Sequence, residues 1–239
     1  MKKRVLARTQ NYLVLALTGF CIVLVMEWLF PNIIPFTAFE FWHIRDSGPS
    51  DWLYSSWPIL AWGGGFTFLV AVFTRNDSWL NDDAEGLFIK DTLISVWAGV
   101  VEEICFRWLI FLAGIATVKF FNVLFFGFLG FGIPQWLQIY IMGPVANFFT
   151  LGYLAPVLVA PGSWAIGSAL LGANALFRDG HKYLGWVGFA NSWFIGMFFF
   201  WLLFTYGLVA CIFIHFLYDF LISSVIYLDR VAERKFWDR

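Results

Sequence analysis

The sequence predicts an all-α integral membrane protein, a bundle of about eight transmembrane helices around a polar core cavity, on three observations. Hydrophobic residues fill 61% of the 239 positions and charged residues only 13%, where a soluble domain carries about 25% charged residues. Apolar stretches of roughly the 20 residues that cross a hydrocarbon core recur along the chain. Against that background, a few acids, bases and imidazoles interrupt the apolar runs from residue 102 onward.

Taken in order, the candidate spans are 11–30, 57–74, 92–117, 120–141, 145–161, 163–179, 186–205 and 207–228, within a single polytopic domain over 1–239. The basic start Lys2-Lys3-Arg4 ahead of an apolar run from Tyr12 to Phe30 has the outline of a signal peptide. Met26-Glu27-Trp28-Leu29-Phe30-Pro31 offers no small-x-small cleavage site, so a retained first span is expected. The front of the third stretch, Phe88 to Val100, is a candidate amphipathic helix along the membrane surface. Lys2, Lys3, Arg4 and Arg8 precede the first span, and Arg230, Arg234, Lys235 and Arg239 follow the last. Basic residues mark the cytoplasmic side, as do Arg75 and Lys90 in the 75–90 loop. The expectation is a multi-pass cell-membrane protein with both termini cytoplasmic and an even number of spans. Trp28, Trp57, Trp136, Trp186 and Trp237 near span ends suit interfacial anchoring. Gly63-Gly64-Gly65, and Gly127, Gly130 and Gly132 with Pro134, are expected at close helix contacts and a kink.

Lys plus Arg is 15 and Asp plus Glu is 16, with no basic run beyond the first eight residues, so no nucleic-acid partner is expected. The lipid bilayer is the partner that composition predicts. Cys21, Cys105 and Cys211 are odd in number and lie in apolar stretches, with neither a disulfide framework nor a zinc spacing. They read as small buried thiols. No internal repeat of the kind that builds transporters is visible.

A charge at the centre of a membrane helix costs about 2.5–3.5 kcal/mol, so charges there need partners and mark function. Val101-Glu102-Glu103-Ile104-Cys105-Phe106-Arg107 places three of them within two helical turns. Glu103 and Arg107 share a helix face and can pair. Glu102, about 100° away, points elsewhere and remains available. Phe177-Arg178-Asp179-Gly180-His181 closes an apolar helix, and His215-Phe216-Leu217-Tyr218-Asp219 sits in the last span with His215 and Asp219 on one face. His43, the remaining histidine, falls in a predicted outer loop. A carboxylate, two imidazoles and an Asp converging in a low-dielectric pocket can activate a water and stabilise the oxyanion formed on an attacked carbonyl. The same set can hold a divalent metal such as zinc, with Glu102, His181 and His215 as ligands. Taken singly, each element has a structural reading: an ion pair, a span-end histidine, a packing hydrogen bond or relay step. Their co-occurrence in one charge-poor chain is the argument.

Over residues 92–228, these elements resemble the three motifs of the CAAX protease and bacteriocin-processing family, the Abi intramembrane endopeptidases. That pattern is Glu-Glu-x-x-x-Arg, Phe-x-x-x-His and His-x-x-x-Asn or Asp, and here it reads Glu102-Glu103…Arg107, Phe177…His181 and His215…Asp219 in the same order. The residues ahead of the third motif, Phe194-Ile195-Gly196-Met197 and Thr205-Tyr206-Gly207-Leu208, are also similar. The resemblance implies an eight-span fold that hydrolyses a peptide bond near a cytosol-facing cavity, on a substrate that can be lipidated or membrane-anchored. It implies that Glu102 and His181 activate the water, His215 and Asp219 form the oxyanion site, and Glu103 and Arg107 orient it. Two departures stand out. Arg178 and Asp179 occupy positions usually small and apolar, which is expected to draw His181 toward the cytoplasmic surface and away from Glu102. Asp219 stands where many members have Asn, and an ionised Asp cannot donate to an oxyanion. Asp219 is then either protonated, an orienter of His215, or a metal ligand. Two other function classes fit the same residues: a non-enzymatic binding or immunity scaffold, and a proton-coupled carrier relaying through Glu102, His215 and Asp219.

Overall fold

Helix accounts for most of the described residues. The computed structural model describes residues 2–45, 47–73 and 84–237, and no strand occurs among them. Most of the expected cytoplasmic loop at 75–90, including Arg75, lies outside the described residues, as does Arg239. The helices are α1 (Lys2–Leu29), α2 (Pro49–Phe73), α3 (Ala84–Glu102), a π segment (Glu103–Ile110), α4 (Phe111–Leu124), α5 (Ile133–Leu137), a second π segment (Gln138–Met142), α6 (Gly143–Phe149), α7 (Ala155–Leu158), α8 (Trp164–Gly180), α9 (Gly185–Tyr206) and α10 (Leu208–Trp237). Three helical stretches among the described residues are long and apolar enough to cross a membrane: Glu85–Leu124, Lys182–Tyr206 and Leu208–Ala232.

The expected break at 118–119 does not occur, and helix continues through Lys119 to Leu124. The Lys119 ammonium donates to the Ile33 carbonyl, so its charge does not have to leave the helix. The chain turns later, at Phe126 (φ 67°) and Gly130 (φ 89°), where Asn122 Oδ1 accepts from the Gln135 N–H at 3.0 Å. Residues 133–161, expected to finish one span and supply another, form a 133–149 helical run widened by the π segment and then the four-residue α7. Pro134 and Pro156 sit in the first turn of α5 and α7, where a missing N–H costs nothing, whereas Pro144 follows the π segment inside the 133–149 run. Leu151 (φ 51°) and Gly152 (φ 80°) reverse the chain between α6 and α7. Buried Gln138 knits these pieces together, donating to Leu158 O at 3.2 Å and facing Ser168 Oγ at 3.3 Å.

The chain divides into two units. The first, Met1–His43 with Glu102–Leu208, packs small residues at its helix contacts. A Cβ on Gly114 would lie 3.2 Å from Ala169 Cβ, and one on Gly19 would lie 3.6 Å from Ala113 Cβ. Such small-residue contacts let backbones approach where apolar solvent gives no hydrophobic drive. The segment after α1 folds back onto this unit: Phe41 packs against Phe111 and Phe204, and Trp108 Nε1 donates to Ala38 O. A cavity of about 590 Å³ lies among α1, α4 and α8, lined by residues such as Ile22, Ala113, Gly172 and Leu176. Its Thr18 and Thr117 hydroxyls donate to their own helices, at 2.8 Å and 2.7 Å. The cavity is therefore apolar, and none of the candidate site residues lines it.

The second unit, Ile44–Val101 with Val209–Arg239, brings α2 and α3 against α10. Gly63 and Gly64 face Tyr218 and Leu221, while a Cβ on Gly99 would lie 3.1 Å from Phe216 N and 3.2 Å from Ile212 O. Residues 88–100, expected to lie flat on the surface, belong instead to the long Glu85–Leu124 helix. Their polarity is inverted relative to a water-soluble helix: Ile89, Leu93, Val96 and Trp97 are exposed, whereas Ser95 and Gly99 are buried. Gly99→Leu would drive a side chain into the α10 backbone and lower stability by about 1–3 kcal/mol. Gly65→Ala, with nothing within 4 Å, would not lower it. Thermal unfolding of both variants in detergent checks the pair.

Candidate functional site

The first unit holds the polar cluster that breaks the pattern of apolar packing. It starts where α3 gives way to the π segment, between Glu102 and Glu103. A π segment widens the turn with i→i+5 bonding and is frequent at functional sites. The regular 100° step between neighbouring side chains therefore does not carry through the motif. Glu103 and Arg107 are both fully buried, with Arg107 Nε 3.3 Å from Glu103 Oε2. The guanidinium also lies 4.0 Å from the centre of the Phe177 ring and within 5.3–5.6 Å of Phe199 and Phe200. An aromatic face stabilises a desolvated cation, so three rings take over part of what water would supply. Nη1 and Nη2 find no acceptor among the described residues.

Glu102 faces the end of α8. Its Oε2 lies 3.8 Å from His181 Nε2, with the two side chains 22% and 20% exposed. His181 caps α8, and its Nδ1 sits 2.8 Å from the Phe177 carbonyl oxygen. A carbonyl only accepts, so Nδ1 carries a proton, and in the neutral ring the Nε2 lone pair faces Glu102. Phe177 thus has two tasks: its ring covers Arg107, and its carbonyl sets the His181 tautomer. Glu102 Oε2 is shielded from solvent and makes no hydrogen bond among the described residues. The 3.8 Å gap is too long for a direct hydrogen bond, and only a water set to one side of the Oε2–Nε2 line would reach both atoms.

The expectation that Arg178 and Asp179 pull His181 away from Glu102 fails, because those charges satisfy one another. Arg178 Nη2 lies 2.7 Å and Lys182 Nζ 2.8 Å from the Asp179 carboxylate, and the Arg178 guanidinium rests 4.4 Å from the Phe189 ring centre. Nothing in that trio competes for the imidazole. In the second unit, His215 is buried and its Nε2 lies 3.8 Å from Asp219 Oδ2. The structure thus brings Glu102, Glu103, Arg107 and His181 together in one unit, and His215 with Asp219 in the other. His43 is exposed, with Nδ1 3.2 Å from Phe39 O, and joins neither group.

Among the described residues, no group of three or more His, Cys, Asp or Glu side chains is placed to hold a metal ion. One residue that the motif spacing did not single out belongs to this region. Asn174, fully buried on α8, donates from Nδ2 to Trp193 O of α9 at 3.0 Å, and its Oδ1 has no donor among the described residues. Its signal in the sequence was faint: one amide in an apolar helix, three residues before Phe177 and seven before His181. Removing one member of the buried pair strands the other, at a cost of about 3–5 kcal/mol. Glu103→Leu and Arg107→Leu should therefore each unfold well below the unsubstituted protein, while the double variant recovers much of the loss. Denaturant titration in detergent reads this directly. Comparison with known protein families, with curated proteins and with solved structures finds no match.

Proposed function

We propose that this chain is a multi-pass membrane-embedded endopeptidase of the CAAX protease type, and that Glu102 and His181 activate the water that cleaves a peptide bond. The observation that carries the reading is the 3.8 Å approach of Glu102 Oε2 to His181 Nε2 in an otherwise apolar helical unit. The membrane part of the reading is supported by three sufficiently long apolar helices and by the exposed Ile89, Leu93 and Trp97 stripe, which suits hydrocarbon and not water. Several spans with both termini in the cytoplasm are proposed on apolar length and charge bias.

In this reading a water between the two groups gives up a proton to Glu102 or to His181 Nε2 as its oxygen attacks the scissile carbonyl carbon. The tetrahedral oxyanion forms, the C–N bond breaks, and the captured proton passes to the leaving amine. Glu103 and Arg107 hold the start of the π segment so that Glu102 is presented to α8. His215 and Asp219 are assigned the oxyanion on the strength of the motif resemblance. The substrate is a peptide or protein whose scissile bond reaches the bilayer, lipid-anchored chains included.

General acid–base groups contribute about 10²–10⁴-fold to rate. Purified full-length protein in lipid vesicles, presented with a pool of membrane-anchored peptides, should yield cleaved products. Glu102→Gln and His181→Ala should each lower their yield by about 100-fold or more while leaving the helical circular dichroism spectrum unchanged. Full activity in Glu102→Gln, or a vesicle preparation that cleaves nothing while pulling down a stable partner, rejects the proposal.

A further inference from the structure

A guanidinium has five N–H groups in a planar fork. In Arg107, Nε lies 3.3 Å from Glu103 Oε2 as an ion pair, and Nε, Nη1 and Nη2 are all buried without a hydrogen-bond acceptor among the described residues. Aromatic faces attract the charge but cannot accept four directed hydrogen bonds. The same side of the unit holds a stranded acceptor, Asn174 Oδ1, on a residue that is also fully buried. Both residues border the Phe177 ring. Arg107 stacks on it, and Asn174 precedes it by one helical turn and meets it at Gly196, where an added Cβ would run into both Asn174 Oδ1 and Phe177 Cδ1. Gly196 thus supplies the space in which the amide sits.

We infer that Asn174 Oδ1 accepts from the Arg107 guanidinium across one ordered water, so that Glu103, Arg107, Asn174 and Trp193 form one buried chain. This chain joins the π segment to α8 and α8 to α9. It makes Asn174 a positioning residue: it touches no reacting group but fixes the register between Glu102 on one side and Phe177 with His181 on the other. The consequence for turnover rests on the endopeptidase reading above. The coupling itself does not, so a failed coupling test and a failed cleavage test are told apart.

The test is the stability of full-length protein in detergent carrying Asn174→Asp, alone and with Arg107→Met. Asp keeps an acceptor where Oδ1 stands but cannot donate to Trp193 O. If the residue serves only to hold Trp193, Asp is equally harmful in either background. If Oδ1 serves Arg107, the new carboxylate is neutralised by the guanidinium and stranded without it. The drop in Tm caused by Asn174→Asp should then be about twofold larger or more in the Arg107→Met background. Equal drops in the two backgrounds overturn the inference. Should the double variant fail to fold, the guanidinium ¹⁵N signals of Arg107, assigned by their loss in Arg107→Lys, give a second reading. They should shift in Asn174→Ser, and unchanged signals overturn the inference as well.

Discussion

The organisation of the first unit depends on one buried charge. Arg107 is fully enclosed, and a lone cation in so apolar a setting would cost far more than a small fold can supply. Its position is tolerable because Glu103 is one turn away and three phenylalanine rings face it. Those partners come from three different stretches of sequence: the π segment itself, the end of α8 and α9. Satisfying the guanidinium therefore fixes how these helices meet. Glu102, one residue before its acidic neighbour, gains a defined direction as a by-product, and that direction leads to His181.

The π segment makes this possible. In a regular helix, two adjacent glutamates and an arginine four residues on would leave one acid to the surface. The wider turn lets Glu103 and Arg107 stay buried as a pair while Glu102 remains close enough to α8 to reach an imidazole. His181 is constrained in turn, because Phe177 O holds its Nδ1 proton. The same Phe177 side chain covers the cation. Arg107 and His181 thus share one neighbour, the first against the Phe177 ring and the second at its carbonyl.

Much of the helical character was legible in the sequence because lipid-like composition is a bulk property. The motif residues were legible because ionisable groups are rare in this chain. Span boundaries were less so. Lys119 reads as an interruption, yet a backbone carbonyl 86 residues away accepts its proton, a partner that no local pattern contains. Pro134, Pro144 and Pro156 lie in runs apolar enough to be read as spans, and only the positive φ angles at Leu151 and Gly152 reveal how the chain turns among them. Residues 88–100 have the composition of a surface helix, but their exposed face is the apolar one. Asn174 escaped notice because its role depends on what faces it from another helix. The charges beside His181 misled in the opposite sense, since Arg178, Asp179 and Lys182 neutralise one another.

The central claim is that Glu102 and His181 direct a water oxygen onto a peptide carbonyl. The direct measurement is cleavage in ¹⁸O-enriched water by protein in lipid vesicles, with mass spectrometry of the new carboxyl termini. The account predicts one labelled oxygen per cleavage event in the unsubstituted protein. Cleavage products lacking that label would show that water is not the nucleophile and would contradict the account.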